Sequence, residues 1–139
     1  FIEKMKRKLN DILPKIKGTP IVSTSAKNGY GIDELYDKII FSHTIWNKKV
    51  KTSKLNEWLS LSCQNHPPPA SKGKRVKLRY ITQIKSRPPT FLIFVSVNNV
   101  LTETYKRYLV NSLRKSFKIV GVPIRLNFKV GKNPYKNKN

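Results

Sequence analysis

The sequence predicts an α+β fold in which a three-stranded sheet carries helices on one face. Three patterns between residues 76 and 130 predict it. Val76, Leu78 and Tyr80 alternate with Lys77 and Arg79, and a break at Arg87-Pro88-Pro89 leads into the apolar run Phe91 to Val97. Further on, Ile124, Leu126, Phe128 and Val130 alternate with Arg125, Asn127 and Lys129. Period-two alternation and short apolar runs bounded by prolines are the marks of strands. Between the second and third strand, Thr102 to Lys118 has helical spacing. A sheet covered by a helix is the simplest arrangement that buries these apolar sets together.

The chain begins in a helical pattern, with Ile2, Met5, Leu9, Ile12 and Ile16 at three- and four-residue steps, ended by Pro14 and Gly18. Residue 1 is Phe, so the sequence is expected to be part of a longer protein. Ile21 to Ser25 reads as a short strand, followed by the loop Ser25-Ala26-Lys27-Asn28-Gly29-Tyr30-Gly31. A second helix then places Ile32, Leu35, Tyr36, Ile39, Ile40, His43 and Trp46 on one broad face, with His43 expected to be packed there. Helix, strand, glycine-containing loop and helix form the end of an α/β unit, and loops at strand ends are where open parallel sheets bind ligands.

Asn47 to Lys51 is a polar, basic linker, which divides the chain into 1–46, 47–51, a domain at 52–130 and a basic, flexible tail at 131–139. Thr52 or Ser53 is the expected cap of a helix that buries Leu55, Trp58, Leu59 and Ser62 and stops by His66, ahead of Pro67-Pro68-Pro69. In the later helix, Tyr105, Tyr108, Leu109, Leu113 and Phe117 form the expected buried stripe. At a hundred degrees per residue, Arg107, Arg114 and Lys118 fall opposite it.

Charge separates the two parts. Residues 1–46 hold eight Lys/Arg against five Asp/Glu, whereas residues 47–139 hold twenty-one against two. A net charge of +22 concentrated in one region points to a polyanion, because each phosphate neutralised releases counterions. Compositional bias toward Lys and Asn does not account for the near loss of acids after Trp46. The candidate RNA-binding residues are Lys72, Lys74, Arg75, Lys77, Arg79, Arg107, Arg114, Lys118, Arg125, Lys129, Lys132 and Lys136.

Catalysis finds little support. His43 and His66 lie on either side of the linker, no carboxylate pair is placed for acid–base work, and there is neither a phosphate-cradling glycine loop with its lysine nor an Asn-Lys-x-Asp motif. The single cysteine, Cys63, falls in a helical pattern and reads as a packing residue that suits a reducing compartment. No apolar run reaches membrane-spanning length and no signal peptide opens the chain, so a cytoplasmic location is expected, with no membrane partner. No metal site is expected.

Several short motifs, in order, carry a resemblance. Ser25-Ala26-Lys27 is followed by Gly29-x-Gly31-Ile32, then by Thr52-Ser53-x-Leu55, His66-x-Pro68-Pro69 and Gly73-Lys74-Arg75-Val76-Lys77. Pro88-Pro89, Tyr105-Lys106-Arg107-Tyr108-Leu109, Leu113-Arg114, Pro123-Ile124-Arg125 and Asn133-Pro134-Tyr135-x-Asn137-Lys138 complete the set. From end to end the chain resembles the Der (EngA) family of bacterial GTPases, which carry two GTP-binding domains followed by a KH-like domain. The resemblance implies that residues 1–46 are the end of the second GTP-binding domain, with Ser25, Ala26 and Lys27 contacting guanine in the parent protein, and that residues 52–130 are the KH-like domain.

The resemblance further implies a part in maturation of the large ribosomal subunit, with contacts to ribosomal RNA and to the GTP-binding domains of the same chain. GTP or GDP with Mg2+ would bind only in the full-length parent, and no nucleotide or hydrolysis is expected of this segment alone. The alternatives are an intramolecular regulatory domain docking on the GTP-binding domains, or a free-standing basic RNA-binding module. KH domains clamp single strands with Gly-x-x-Gly, whereas the turn into the main helix here reads Asn98-Asn99-Val100-Leu101. Docking on folded RNA, led by charge, fits this turn better than single-strand clamping.

Overall fold

The structure is a computed structural model that describes residues 1–70, 73–97 and 101–134. Its helices are α1 (Ile2–Ile12), α2 (Ile32–Trp46), α3 (Thr52–Asn65) and α4 (Glu103–Phe117), and its strands are β1 (Leu78–Lys85), β2 (Thr90–Val95) and β3 (Arg125–Val130). The strands form one sheet in the order β1-β2-β3. A short turn makes β1 and β2 antiparallel, whereas the crossover through α4 makes β2 and β3 parallel. The fold is therefore α+β, with α3 and α4 on one face of a mixed sheet.

The core lies between that sheet and the two helices. Leu55, Trp58 and Leu59 of α3 and Tyr105, Leu109 and Leu113 of α4 meet Ile81, Phe91, Ile93 and Val95, with Ile119 and Val122 closing one end. Two hydroxyl groups tie the helices: Trp58 Nε1–H donates to Ser112 Oγ at 3.0 Å, and Tyr108 O–H donates to the Ser62 carbonyl at 3.1 Å. Thr102 caps α4 by accepting from the Tyr105 N–H at 3.2 Å. At the start of α3, neither Thr52 nor Ser53 is the cap. Lys51 holds that position without a side-chain bond, because the helix begins one residue earlier than expected.

The first forty-six residues depart more from expectation. Ile21 to Ser25 is not a strand, since a strand needs a ladder and among the described residues only Ser25 pairs, in one bridge with Tyr30. The broad apolar face of α2 is exposed: Ile45 is the helix's single buried residue, while Leu35, Tyr36, Ile39, Ile40 and Trp46 face outward. His43 is likewise exposed rather than packed, with Nε2 at 3.2 Å from Asn47 Nδ2. α1 buries no residue.

This segment meets the domain at the end of α2, where Ile45 enters the core and the Trp46 carbonyl accepts from the Arg87 N–H at 3.1 Å, and again around residues 15–19. The Gly121 N–H donates to the Lys17 carbonyl at 2.8 Å. Gly18 and Gly121 both have positive φ there, and a Cβ on Gly18 would stand 3.0 Å from Val120 Cβ, so the two stretches approach closer than most side chains allow. The linker is also held: the Gln83 side chain accepts from the Val50 N–H at 2.8 Å and donates to the Lys48 carbonyl at 2.9 Å.

Candidate nucleic-acid interface

A groove of about 990 Å³ opens where the chain enters β1 and leaves β3. Its floor is Val76, Leu78, Cys63 and Pro68, all buried or half-buried, with the exposed Pro67 at its side, and its rim carries the exposed Arg75, Lys77, Arg79 and Lys132. The local fold explains the grouping. The Lys77 N–H donates to Ser96 Oγ at 2.9 Å, the Ser96 N–H returns a bond to the Lys77 carbonyl, and the Gly131 N–H donates to the Val95 carbonyl at 3.2 Å. These bonds carry the approach to β1 and the exit from β3 to one end of the sheet, so residues 55 positions apart in sequence share a rim. Alternation buries Val76 and turns Arg75 and Lys77 out.

Among the described residues no Asp or Glu forms an ion pair with this rim. The ion pairs among the described residues join neighbours on one helix: Lys6 with Glu3, Lys54 with Glu57, and Lys106 with Glu103. Glu57 and Glu103 are also the only acids after Trp46, and both are committed to those pairs. Four cations thus line the groove with no ion-pair partner among the described residues, and its apolar floor lowers the local dielectric under the rim charges.

The other candidates are distributed differently. Lys74 is exposed beside the groove. Arg107 and Lys118 are exposed on α4, Lys118 at the helix C-terminus in a left-handed conformation. Arg125 and Lys129 are exposed on β3. Lys72, Lys136 and the Asn98-Asn99-Val100 part of the turn into α4 lie outside the described residues, as does the tail from residue 135.

Arg114 corrects the expectation of an exposed basic stripe. It is buried, 7% exposed, and its guanidinium is an internal clamp. Nη1 donates to the carbonyls of Ile119 at 2.8 Å and Val122 at 2.7 Å, and Nη2 donates to the Lys15 carbonyl at 3.0 Å. Nε is buried without a partner among the described residues, and desolvation lowers the guanidinium pKa from its ordinary value. The helical wheel placed Arg114 beside Arg107 correctly. What it did not contain is the loop at 119–122 and the turn at 15–17, which cover the end of α4 where Arg114 lies.

Two further sites follow from the geometry. Cys63 is half-buried against Tyr105, and burial pushes its thiol pKa up, which suits the packing role expected of it. In the Ser25–Tyr30 loop, the Ser25 N–H donates to the Tyr30 carbonyl at 3.0 Å and the Gly29 N–H to the Ser25 carbonyl at 2.9 Å. Ala26 and Lys27 are left exposed at its tip. Among the described residues no group of three or more His, Cys, Asp or Glu could hold a metal ion, and no helix is long and apolar enough to cross a membrane.

Known proteins resemble both the domain and the whole chain. The family described as the KH-domain-like region of EngA bacterial GTPase enzymes, C-terminal, matches residues 49–129. Proteins named GTPase Der from Ruegeria pomeroyi and Dinoroseobacter shibae are each 45% identical over 99% of this chain, and one from a Jannaschia species is 47% identical over 94%. The chain spans 28% of the length of each of these relatives. With the α3-β1-β2-α4-β3 order and the matched sequence in agreement, the chain belongs to the EngA (Der) GTPase family, through its C-terminal KH-domain-like region.

Proposed function

We propose that this chain is the RNA- and ribosome-binding portion of a GTPase acting in maturation of the large ribosomal subunit, and that it works in the cytoplasm. The observation that carries this reading is the groove rimmed by Arg75, Lys77, Arg79 and Lys132, four cations with no carboxylate among them. Such a rim suits phosphate oxygens, and a groove open to solvent admits the backbone of folded RNA without splaying its bases. Arg107, Lys118, Arg125 and Lys129 extend the positive surface. GTP or GDP and Mg2+ would serve the full-length parent, where Ser25, Ala26 and Lys27 would offer loop backbone to the guanine.

The test is RNA affinity across a salt series, for the wild-type chain and for the combined Arg75→Ala, Lys77→Ala, Arg79→Ala, Lys132→Ala variant. The slope of log affinity against log salt should flatten by about 0.7–0.9 for each phosphate that the variant no longer neutralises. An unchanged slope would sink the reading. A second reading, docking on the GTP-binding domains of the same parent, draws on the exposed Leu35, Tyr36, Ile39 and Ile40 of α2. Tight, salt-insensitive binding to separately expressed GTP-binding domains, with weak RNA affinity, would favour it.

A further inference from the structure

The two edges of the sheet are finished differently. On β1, the Ile81 N–H donates to Asn56 Oδ1 and the Ile81 carbonyl accepts from Asn56 Nδ2, both at 3.0 Å. Asn56 thus gives that edge a side-chain partner in place of another strand, while the Gln83 side chain reaches out from β1 to bond the linker backbone. β3 has no such cover. The Arg125 and Gly131 N–H groups donate inward, to the Pro89 and Val95 carbonyls at 3.0 and 3.2 Å. Backbone groups alternate in direction along a strand, so Leu126, Phe128 and Val130 turn their N–H and C=O groups away from β2. Among the described residues none of these outward groups has a partner.

The side chains along this edge are of two kinds. Arg125, Asn127 and Lys129 are exposed and share register with Thr90, Leu92 and Phe94, on the face away from α3 and α4. Leu126 and Phe128 turn toward the core yet stay half-exposed, and Val130 is 45% exposed. A strand added here would meet cations on one side and uncovered apolar surface on the other.

We propose that the free edge of β3 is a docking site for an extended acidic segment of a protein partner, added as a fourth strand. Main-chain bonds to Leu126, Phe128 and Val130 hold the segment. Its carboxylates, at alternate positions, meet Arg125 and Lys129, and the apolar residues between them cover Leu126, Phe128 and Val130. Charge selects the occupant. An antiparallel β3 from a second copy centred on Asn127 would set Arg125 against Lys129, like charges that destabilise a strand pair, and in any register two copies of a chain of net charge +22 repel. The same two cations favour an acidic strand. Arg125 and Lys129 also belong to the positive surface assigned above to RNA, whereas the outward backbone groups of Leu126, Phe128 and Val130 do not, so backbone protection by a peptide and RNA affinity are read separately.

The probe is a capped six-residue peptide, the length of β3, alternating glutamate and valine, compared with an isomer holding the same residues in two blocks. Amide hydrogen exchange of the whole chain is the readout. The alternating peptide should slow exchange at Leu126, Phe128 and Val130 by about tenfold or more at saturation and leave Ile81 unchanged. Val130→Pro removes an outward N–H that the sheet does not use, a change an edge strand tolerates. It should weaken the peptide while RNA affinity stays at the wild-type value. Arg125→Glu with Lys129→Glu should weaken the peptide by about tenfold or more. No slowing, equal slowing by both isomers, or full binding by Val130→Pro would each overturn the proposal.

Discussion

Replacing Arg114 with methionine keeps most of the side-chain volume and removes the fork that holds three carbonyls. Each bond from a charged donor contributes about 1.5–3 kcal/mol net. The three are not additive, and the buried guanidinium carries a desolvation cost that the substitution removes. The Ile119 and Val122 carbonyls lose their donor inside the domain, whereas Lys15 lies on an exposed turn where water can replace it. The expected loss is therefore about 2–4 kcal/mol, seen in urea as a lower midpoint with an unchanged slope. RNA binding should keep its salt slope, since Arg114 presents no charge to solvent. Arg107→Met should behave in the opposite way, leaving the midpoint nearly unchanged and flattening the slope by up to about 0.9. Arg114→Met with full stability and a flattened salt slope would refute the clamp and restore the exposed stripe.

Leu109 is fully buried between α4 and the sheet, so Leu109→Ala should cost about 2–5 kcal/mol in urea unfolding. Cys63 should react with a disulfide reagent more slowly than a free thiol at neutral pH, and reach the free-thiol rate only in urea. The folded chain holds the thiol proton more tightly than the unfolded chain does. The contribution of Cys63 to stability is therefore fully present below the ordinary thiol pKa, near about 8.5, and declines as pH rises through it. Unfolding midpoints measured on either side of that value, against Cys63→Ser, check the sign.

How much of this was legible in the sequence depends on which neighbours each residue has. Alternation along Val76 to Tyr80 and Ile124 to Val130, the apolar run from Phe91, and the stripe Tyr105, Leu109, Leu113 are local periodicities. They determined the sheet, the α4 crossover and the buried side of both domain helices, because a pattern of period 2 or 3.6 has only one way to hide its apolar members. The scarcity of acids after Trp46 likewise determined that a rim of cations anywhere on the domain would stand unneutralised.

Tertiary structure decided what depends on distant chain. It brought Lys132 to Arg75, Lys77 and Arg79 through the hydrogen bonds at one end of the sheet, and it buried Arg114 by laying two loops over the end of α4. It also left Ile21 to Ser25 without a ladder and the α2 face uncovered, since a strand and an amphipathic helix are completed only by a partner that no local pattern supplies. The difference between the capped edge of β1 and the open edge of β3 belongs to the same class. Asn56 and Gln83 carry no sign in sequence of the backbone groups they satisfy, because those groups come within reach only when α3 and the linker lie against the sheet.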